Sequence, residues 1–248
     1  MAHQPYTRIV PGSSTVLVMI HGIIGTPDHF RDFLPLVPED WSVYNLLLDG
    51  HGGGVREFSA SSMDKWKTQV ARLVERLCLQ YRRVLIAAHS MGTLFAFSEA
   101  LRHPGKIAGL FLLAAPLQVR IGPLALSNSI KVCFGRVRPD DAQAVAAKAA
   151  YGLEADRRLW RYLGWLPRYW ELLQEIRRVR RQVSRVQVPC YVYQSRKDEL
   201  VSAQAVTWLR GNENIHWTFL ESSTHFHYRD ADFSEILTCF SAFCAKYL

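Results

Sequence analysis

Short, predominantly apolar runs alternate along the chain with longer stretches of helical periodicity. Residues 16–20 (VLVMI) form one such run, closed by His21-Gly22, and residues 43–48 form a second, closed by Asp49-Gly50-His51-Gly52-Gly53-Gly54. Residues 84–88, 109–113, 190–194 and 216–220 repeat the pattern. Runs this short with almost no polar position fit strands covered on both faces. Between them the period changes. From Met63 to Gln80 the residues Trp66, Val70, Leu73, Val74 and Leu77 share one helical face, behind the capping serines Ser61 and Ser62. Helices are also predicted over 91–102, stopped by His103-Pro104-Gly105, and over 202–210 and 232–247. Thr26-Pro27-Asp28 reads as a further helix start with Pro27 at the first position. Strands and helices in alternation predict the α/β class, a mostly parallel central sheet flanked by helices.

The alternation breaks between Pro116 and Val188. That stretch is helical in pattern, rich in Trp and Arg, and has no convincing strand, so it reads as an insertion between two strands. With 248 residues the chain suits one domain carrying an inserted subdomain. Apolar residues make up 49% and charged residues 21%, which excludes a disordered chain. The net charge of +8 invites a nucleic-acid or anionic-membrane reading, but the excess is local: residues 157–185 hold nine arginines against Glu171 and Glu175. Arg177, Arg178, Arg180, Arg181 and Arg185 fall near the end of a helical pattern, where cations are favoured, either as a solvated face or as a surface for anionic lipid. No nucleic-acid motif accompanies them, so nucleic-acid binding is not expected. Cys78, Cys133, Cys190, Cys239 and Cys244 form no CxxC pair. The first residues lack the charged and apolar regions of a signal peptide, and the longest apolar run, 108–117, is too short to span a bilayer. A cytoplasmic protein with reduced thiols is expected.

Candidate chemistry centres on VLIAAHSMGTL, residues 84–94. Ala88-His89-Ser90-Met91-Gly92 falls where a strand gives way to a helix, with small residues two before and two after the serine. Such a turn strains the serine backbone, lets strand and helix approach closely, and exposes the hydroxyl at a helix N-terminus. Ala88 stands where the elbow pattern usually has glycine. A serine nucleophile needs a base, and the base needs an orienting acid. The chain order of an elbow fold points to Asp198, after the strand at 190–194, and to His225, after the strand at 216–220. Glu199 competes with Asp198, and His227 and His216 compete with His225; His216 begins a strand and so lies at the wrong end of the sheet. His89 reads as a packed residue of the elbow. An oxyanion needs backbone donors: Met91, next to the serine, and Ile23 in the loop His21-Gly22-Ile23-Ile24-Gly25. His51-Gly52-Gly53-Gly54 also spells an oxyanion motif, but it follows the wrong strand, and its glycines are expected to form a flexible turn at the rim.

Together these segments resemble the α/β-hydrolase superfamily over nearly the whole chain, and most closely its small bacterial carboxylesterases and monoacylglycerol lipases. HGIIGTPDHF is similar to that group's first loop, DGHGGG followed by SSMDKW to its GHG-then-Trp segment, and KDELV and STHF to its acid and histidine loops. The resemblance implies ester hydrolysis through an acyl-serine, no metal or organic cofactor, and a cap inserted after the strand at 109–113. The expected division is a core of 1–117 and 186–248 and a helical cap of 118–185. Trp160, Trp165 and Trp170, with Leu159, Leu163, Leu166, Leu172 and Leu173, supply cap surface, either for packing on the core or for an acyl pocket over Ser90. A small-molecule ester of short-to-medium acyl chain, or a monoacylglycerol-like one, is the expected substrate. Thioester or amide cleavage and acyl transfer share the same constellation, and a non-catalytic ligand receptor or scaffold on this fold is the alternative from another class. Weak association with an anionic membrane surface is an expected addition; oligomeric state is left open.

Overall fold

A computed structural model describes residues 3–120, 122, 127, 131–132, 136–152, 154, 156 and 158–248. Its centre is a seven-stranded sheet in the order β1-β3-β2-β4-β5-β6-β7. The strands are β1 (Tyr6–Arg8), β2 (Thr15–Ile20), β3 (Ser42–Asn45), β4 (Arg83–His89), β5 (Ile107–Leu113), β6 (Cys190–Ser195) and β7 (Ile215–Leu220). β1 pairs antiparallel with β3 at one edge, and every other pairing is parallel. The helices are α1 (Val55–Ala60), α2 (Met63–Gln80), α3 (Met91–Arg102), α4 (Ala142–Ala150), α5 (Trp165–Arg180) and α6 (Asp230–Ala245).

The central apolar runs are nearly uninterrupted because both faces of the sheet are covered there. Val16, Val18 and Ile20 of β2, with Val84 and Ile86 of β4, face Trp66, Val70 and Val74 of α2 and Leu94 of α3. Leu17 and Met19, with Leu85 and Phe111, face the opposite layer built from Phe30, Phe33 and Phe240. Successive strand residues point to opposite sides, so the central strands β2, β4 and β5, between two helical layers, are apolar at nearly every position. The parallel pairings bring the strand C-terminal ends to one rim: Ile20 lies beside Ala88, His89 beside Leu113, and Ser195 beside Leu220. β3 and β4 flank β2 on opposite sides, so the loops leaving β2 and β4 diverge and open a crevice at that rim.

Some elements differ from the sequence expectation, each for a local reason. β3 stops at Asn45 rather than continuing to residue 48: Leu46 N–H still donates to Met19 O at 3.0 Å, but further on side chains take Leu48 N–H (His21 Nε2, 3.1 Å) and Asp49 N–H (Gln69 Oε1, 2.9 Å). The expected helix over 202–210 is a 3-10 turn, Ala203–Trp208. The glycines at 52–54 lead into α1, where Glu57 Oε2 accepts from Gly54 N–H at 3.0 Å, instead of forming a flexible turn. β1 gave no periodic signal, being only three residues at an edge. Between β5 and β6 the described residues form no strand of the sheet; they include α4, α5, two 3-10 turns and isolated bridges. Among the described residues no helix is long and apolar enough to cross a membrane. Cys78, Cys190, Cys239 and Cys244 are free thiols, and Cys133 lies outside the described residues.

Gly92, on the first turn of α3, lets that helix lie directly on β2. A Cβ there would sit 2.3 Å from the Ile20 carbonyl oxygen, which is main chain and cannot yield without moving the strand. Gly92→Ala is therefore expected to cost about 1–3 kcal/mol of stability, measured by denaturant unfolding against the wild-type chain.

Candidate active site

Ser90 adopts φ 51° and ψ −123°, a left-handed region that non-glycine residues rarely enter. Its surroundings enforce this. The Ser90 N–H donates to Leu113 O at 2.9 Å, and its carbonyl accepts from Thr93 N–H at 2.9 Å and Thr93 Oγ1 at 2.7 Å. A Cβ on Gly22 would lie 2.8 Å from Ser90 Cβ, so the loop after β2 must carry glycine there.

His225 and Asp198 arrive from the loops after β7 and β6. His225 Nε2 lies 3.1 Å from Ser90 Oγ, and His225 Nδ1 lies 2.8 Å from Asp198 Oδ2. With Nδ1–H donating to the carboxylate, Nε2 is left as the acceptor for the serine hydroxyl. The other Asp198 oxygen accepts from Leu200 N–H at 2.8 Å and Val201 N–H at 2.7 Å, which locks the carboxylate plane. The histidine loop has its own clamp, which sequence reasoning missed. Asp232 Oδ2, in the first turn of α6, accepts from Ser222 N–H, Ser223 N–H and Ser223 Oγ at 2.9, 2.7 and 2.6 Å. An acidic residue at a predicted helix start was the available signal.

The competitors occupy other places. Glu199 Oε2 accepts from the His225 backbone N–H at 2.9 Å, so it contacts the histidine's main chain rather than its ring. His227 closes a turn, its carbonyl accepting from Thr224 N–H at 2.9 Å. His216 is exposed on β7 and packs near Tyr191. His89 stacks on His29 at 3.8 Å between ring centres, and its Nε2 lies 3.3 Å from the His225 carbonyl oxygen.

Met91 opens α3, so its N–H has no partner in a preceding turn. Among the described residues no hydrogen bond engages the Ile23 amide. Two histidines brace that loop. Ile24, with φ 54°, donates its N–H to His51 Nε2 at 3.2 Å, while His51 Nδ1 lies 3.2 Å from the Asp49 carbonyl. His21 Nδ1 lies 2.8 Å from the Gly22 carbonyl, and His21 Nε2 accepts from Leu48 N–H. Each ring is thus a neutral imidazole, donating at Nδ1 and accepting at Nε2. The HG and GHGGG segments therefore cooperate, the second supporting the first.

Electrostatics separate His225 from its neighbours. Burial pulls His51 down to about 4. Burial, then repulsion from His225, pulls His29 down to about 3. His21 and His89 are also held well below the ordinary imidazole value by burial first, then by neighbouring histidines. Burial lowers His225 too, but the charge and hydrogen bond of Asp198 and the charge of Glu199 outweigh it and raise His225 above the ordinary value. Among the described residues, no group of three or more His, Cys, Asp or Glu side chains is placed to hold a metal ion.

Residues between β5 and β6 sit on the rim beside this constellation. Gly152 N–H donates to Ile24 O and Gly152 O accepts from Gly52 N–H, each at 2.8 Å, and Tyr151 packs edge-on against Phe226. Trp165 packs on Phe58 of α1 and donates Nε1–H to Val55 O at 3.3 Å. Leu172 and Leu173 pack against the core, whereas Trp160, Leu163, Leu166 and Trp170 are exposed; the Leu159 side chain lies outside the described residues. Several arginines are internal anchors: Arg178 binds Glu175 and Ser98, and Arg180 donates to Leu117 O at 2.8 Å.

A family model described as serine aminopeptidase, S33, matches residues 12–215. The chain belongs to that family. A pimeloyl-[acyl-carrier protein] methyl ester esterase of Neisseria meningitidis is 30% identical over 118 residues, covering 46% of this chain and 42% of the relative. The chain thus spans less than half the length of the curated relatives it matches. Among solved structures, one from the metagenome-derived lipolytic enzymes LipS and LipT aligns with a TM-score of 0.74 at 21% identity, covering 99% of this chain and 98% of that one. The monoacylglycerol lipase of Paleococcus ferrophilus aligns with a TM-score of 0.70 at 15% identity over 100% of both chains. A soluble variant of the Saccharomyces cerevisiae monoglyceride lipase aligns with a TM-score of 0.69 at 14% identity, covering 98% and 90%. The fold is that of the α/β-hydrolases.

Acid should destabilise this fold. His21, His29, His51 and His89 stay neutral when folded but take up protons near 6.5 when unfolded, so stability falls as pH drops from about 6.5 toward 4. His225 has the opposite sign: its contribution is full below 6.5 and is lost as pH rises through its raised folded value. The four outweigh the one. His29→Gln is expected to reduce the acid slope by up to about 1.4 kcal/mol per pH unit, measured by denaturant unfolding at a series of pH values.

Proposed function

We propose that the protein is a serine hydrolase that cleaves small carboxylic esters through an acyl-serine intermediate, with short-to-medium acyl or monoacylglycerol-like substrates. The observation that carries this is the unbroken hydrogen-bond line from Ser90 Oγ through His225 to Asp198. Ser90 Oγ attacks the ester carbonyl carbon as its proton passes to His225 Nε2. Asp198 holds the ring in the required tautomer and stabilises the imidazolium. The Ile23 and Met91 amides hold the oxyanion. His225 then gives the proton to the departing alkoxide as the acyl C–O bond breaks. Water, activated by the same ring, hydrolyses the acyl-serine and restores Ser90. The ester bond in the Neisseria relative's name supports this reading.

Residues 118–185 act in this proposal as a cap over Ser90, set on a core of 1–117 and 186–248. The support is the seating of Tyr151, Gly152 and Trp165 on the oxyanion loop, the histidine loop and α1. The side chains of Trp160, Leu163, Leu166 and Trp170 are 58–66% accessible, with exposed Arg158 and Arg177 near them in the chain and Arg177 over Trp170, and in this proposal they act together as one apolar, basic surface. Such a face suits weak association with an anionic membrane surface. A cytoplasmic location belongs to the same reading, supported by the free thiols.

The thioester and amide alternatives share this machinery, and the family's description as an aminopeptidase keeps the amide arm in view. Turnover of p-nitrophenyl esters is expected to exceed that of matched acyl-CoA thioesters and aminoacyl amides; faster amide turnover overturns the ester assignment. Ser90→Ala is expected to lose about a thousand-fold or more in kcat and to take no fluorophosphonate adduct, read by intact mass. Trp160→Ala with Leu166→Ala is expected to reduce co-sedimentation with phosphatidylglycerol vesicles without changing turnover of a soluble ester.

A further inference from the structure

Beside the site lies a buried carboxylate that the mechanism above leaves without a role. Glu199 is 7% exposed and forms no ion pair with Lys or Arg among the described residues. Burying a carboxylate without a cation is costly unless its hydrogen bonds and charge are used. Its Oε2 accepts from the main-chain N–H of His225, 26 positions further along and 2.9 Å away. That N–H belongs to a residue only 2% exposed, so water cannot replace the acceptor.

The main chain of Glu199 is itself held from both sides. Asp198 grips Leu200 N–H and Val201 N–H. The strand-like stretch leaving β5 pairs with the same loop: Ser202 N–H donates to Gln118 O, Arg120 N–H to Leu200 O, and Gly122 N–H to Glu199 O, each at 2.8 Å. Adjacent carboxylates on this rigid segment thus divide the histidine between them. Asp198 holds the ring, and Glu199 holds the backbone that carries it.

We propose that Glu199 is a positioning residue for His225, fixing the height of the imidazole against Ser90 through the main chain and adding a second negative charge beside the ring. This rests on the hydrolase reading above. The titratable groups around His225 are Asp198 and Glu199 from the β6 loop and His89 from the elbow with His29 stacked behind it, while Tyr228 of its own loop interacts with the two carboxylates. Among the described residues only these two carboxylates bring negative charge to the ring, so removing Glu199's charge makes the imidazolium less favourable. The imidazole then stays in its free-base form to lower pH.

The test compares wild type, Glu199→Gln and Glu199→Ala, with fluorophosphonate labelling by intact mass counting active serines and p-nitrophenyl ester turnover followed across pH. Glu199→Gln keeps an acceptor oxygen and loses the charge. It is expected to retain most of kcat while the acid limb of kcat/KM moves about one pH unit lower. Glu199→Ala leaves the His225 N–H unpartnered and is expected to lose about ten- to hundred-fold in kcat per labelled site with KM little changed. A merely structural role lowers Tm but leaves both the acid limb and kcat per labelled site at wild-type values, and that result overturns the proposal. If Glu199→Ala does not fold, the Glu199→Gln limb alone decides. Wild type that takes no adduct and turns over no ester removes the hydrolase reading and this inference together; wild type that labels while the variants match it removes this inference alone.

Discussion

The structure depends on how closely three pieces of main chain meet at Ser90. β4 ends, α3 begins, and the loop leaving β2 passes across both, all within the space that side chains would otherwise occupy. Gly92 brings α3 onto the Ile20 carbonyl, and Gly22 brings the next loop onto the serine. Ser90 is forced to φ 51° by this crowding and is held there by Leu113 and Thr93. Strain of this kind persists only where surrounding packing over-determines it, and here the buried strands β2, β4 and β5 supply the packing. The same compression sets Gly22 of the β2 loop against Ser90 at the rim.

Around that point the protein uses histidine in two different ways. His21 and His51 are buried and neutral, and act as hydrogen-bond struts between the loops after β2 and β3. His225 is equally buried but faces two carboxylates, which hold it on the opposite side of the ordinary imidazole value. Burial alone does not distinguish them; the neighbouring charge does. A site with several imidazoles in contact thus keeps one of them basic enough to exchange a proton with Ser90.

Much of this was legible in the residue pattern. The core strands and the helices Met63–Gln80 and Met91–Arg102 appear where periodicity put them, because burial on both faces leaves a strong mark in apolar spacing. Ser90, Asp198 and His225 could be chosen from chain order and their places after strands, and the structure brings them within hydrogen-bond distance. The roles of His51, Glu199 and Asp232 were not legible. Each acts by accepting main-chain N–H groups from another loop, and any residue can supply such a group, so no side-chain pattern announces the pairing. The arginine-rich segment was similarly opaque, since Arg178 and Arg180 act as anchors and Arg177 lies over Trp170.

By itself the sequence determined the layered architecture, the elbow and the order of the chemical groups, because these follow from hydrophobic period, small-residue spacing and strand ends, all of which are local. Only the tertiary structure decided which histidine stays neutral, which carboxylate holds a ring and which holds a backbone, and where the residues between β5 and β6 rest. Those outcomes depend on burial and on distances between loops far apart in the chain, and such quantities exist only once the sheet has gathered the loops at one rim.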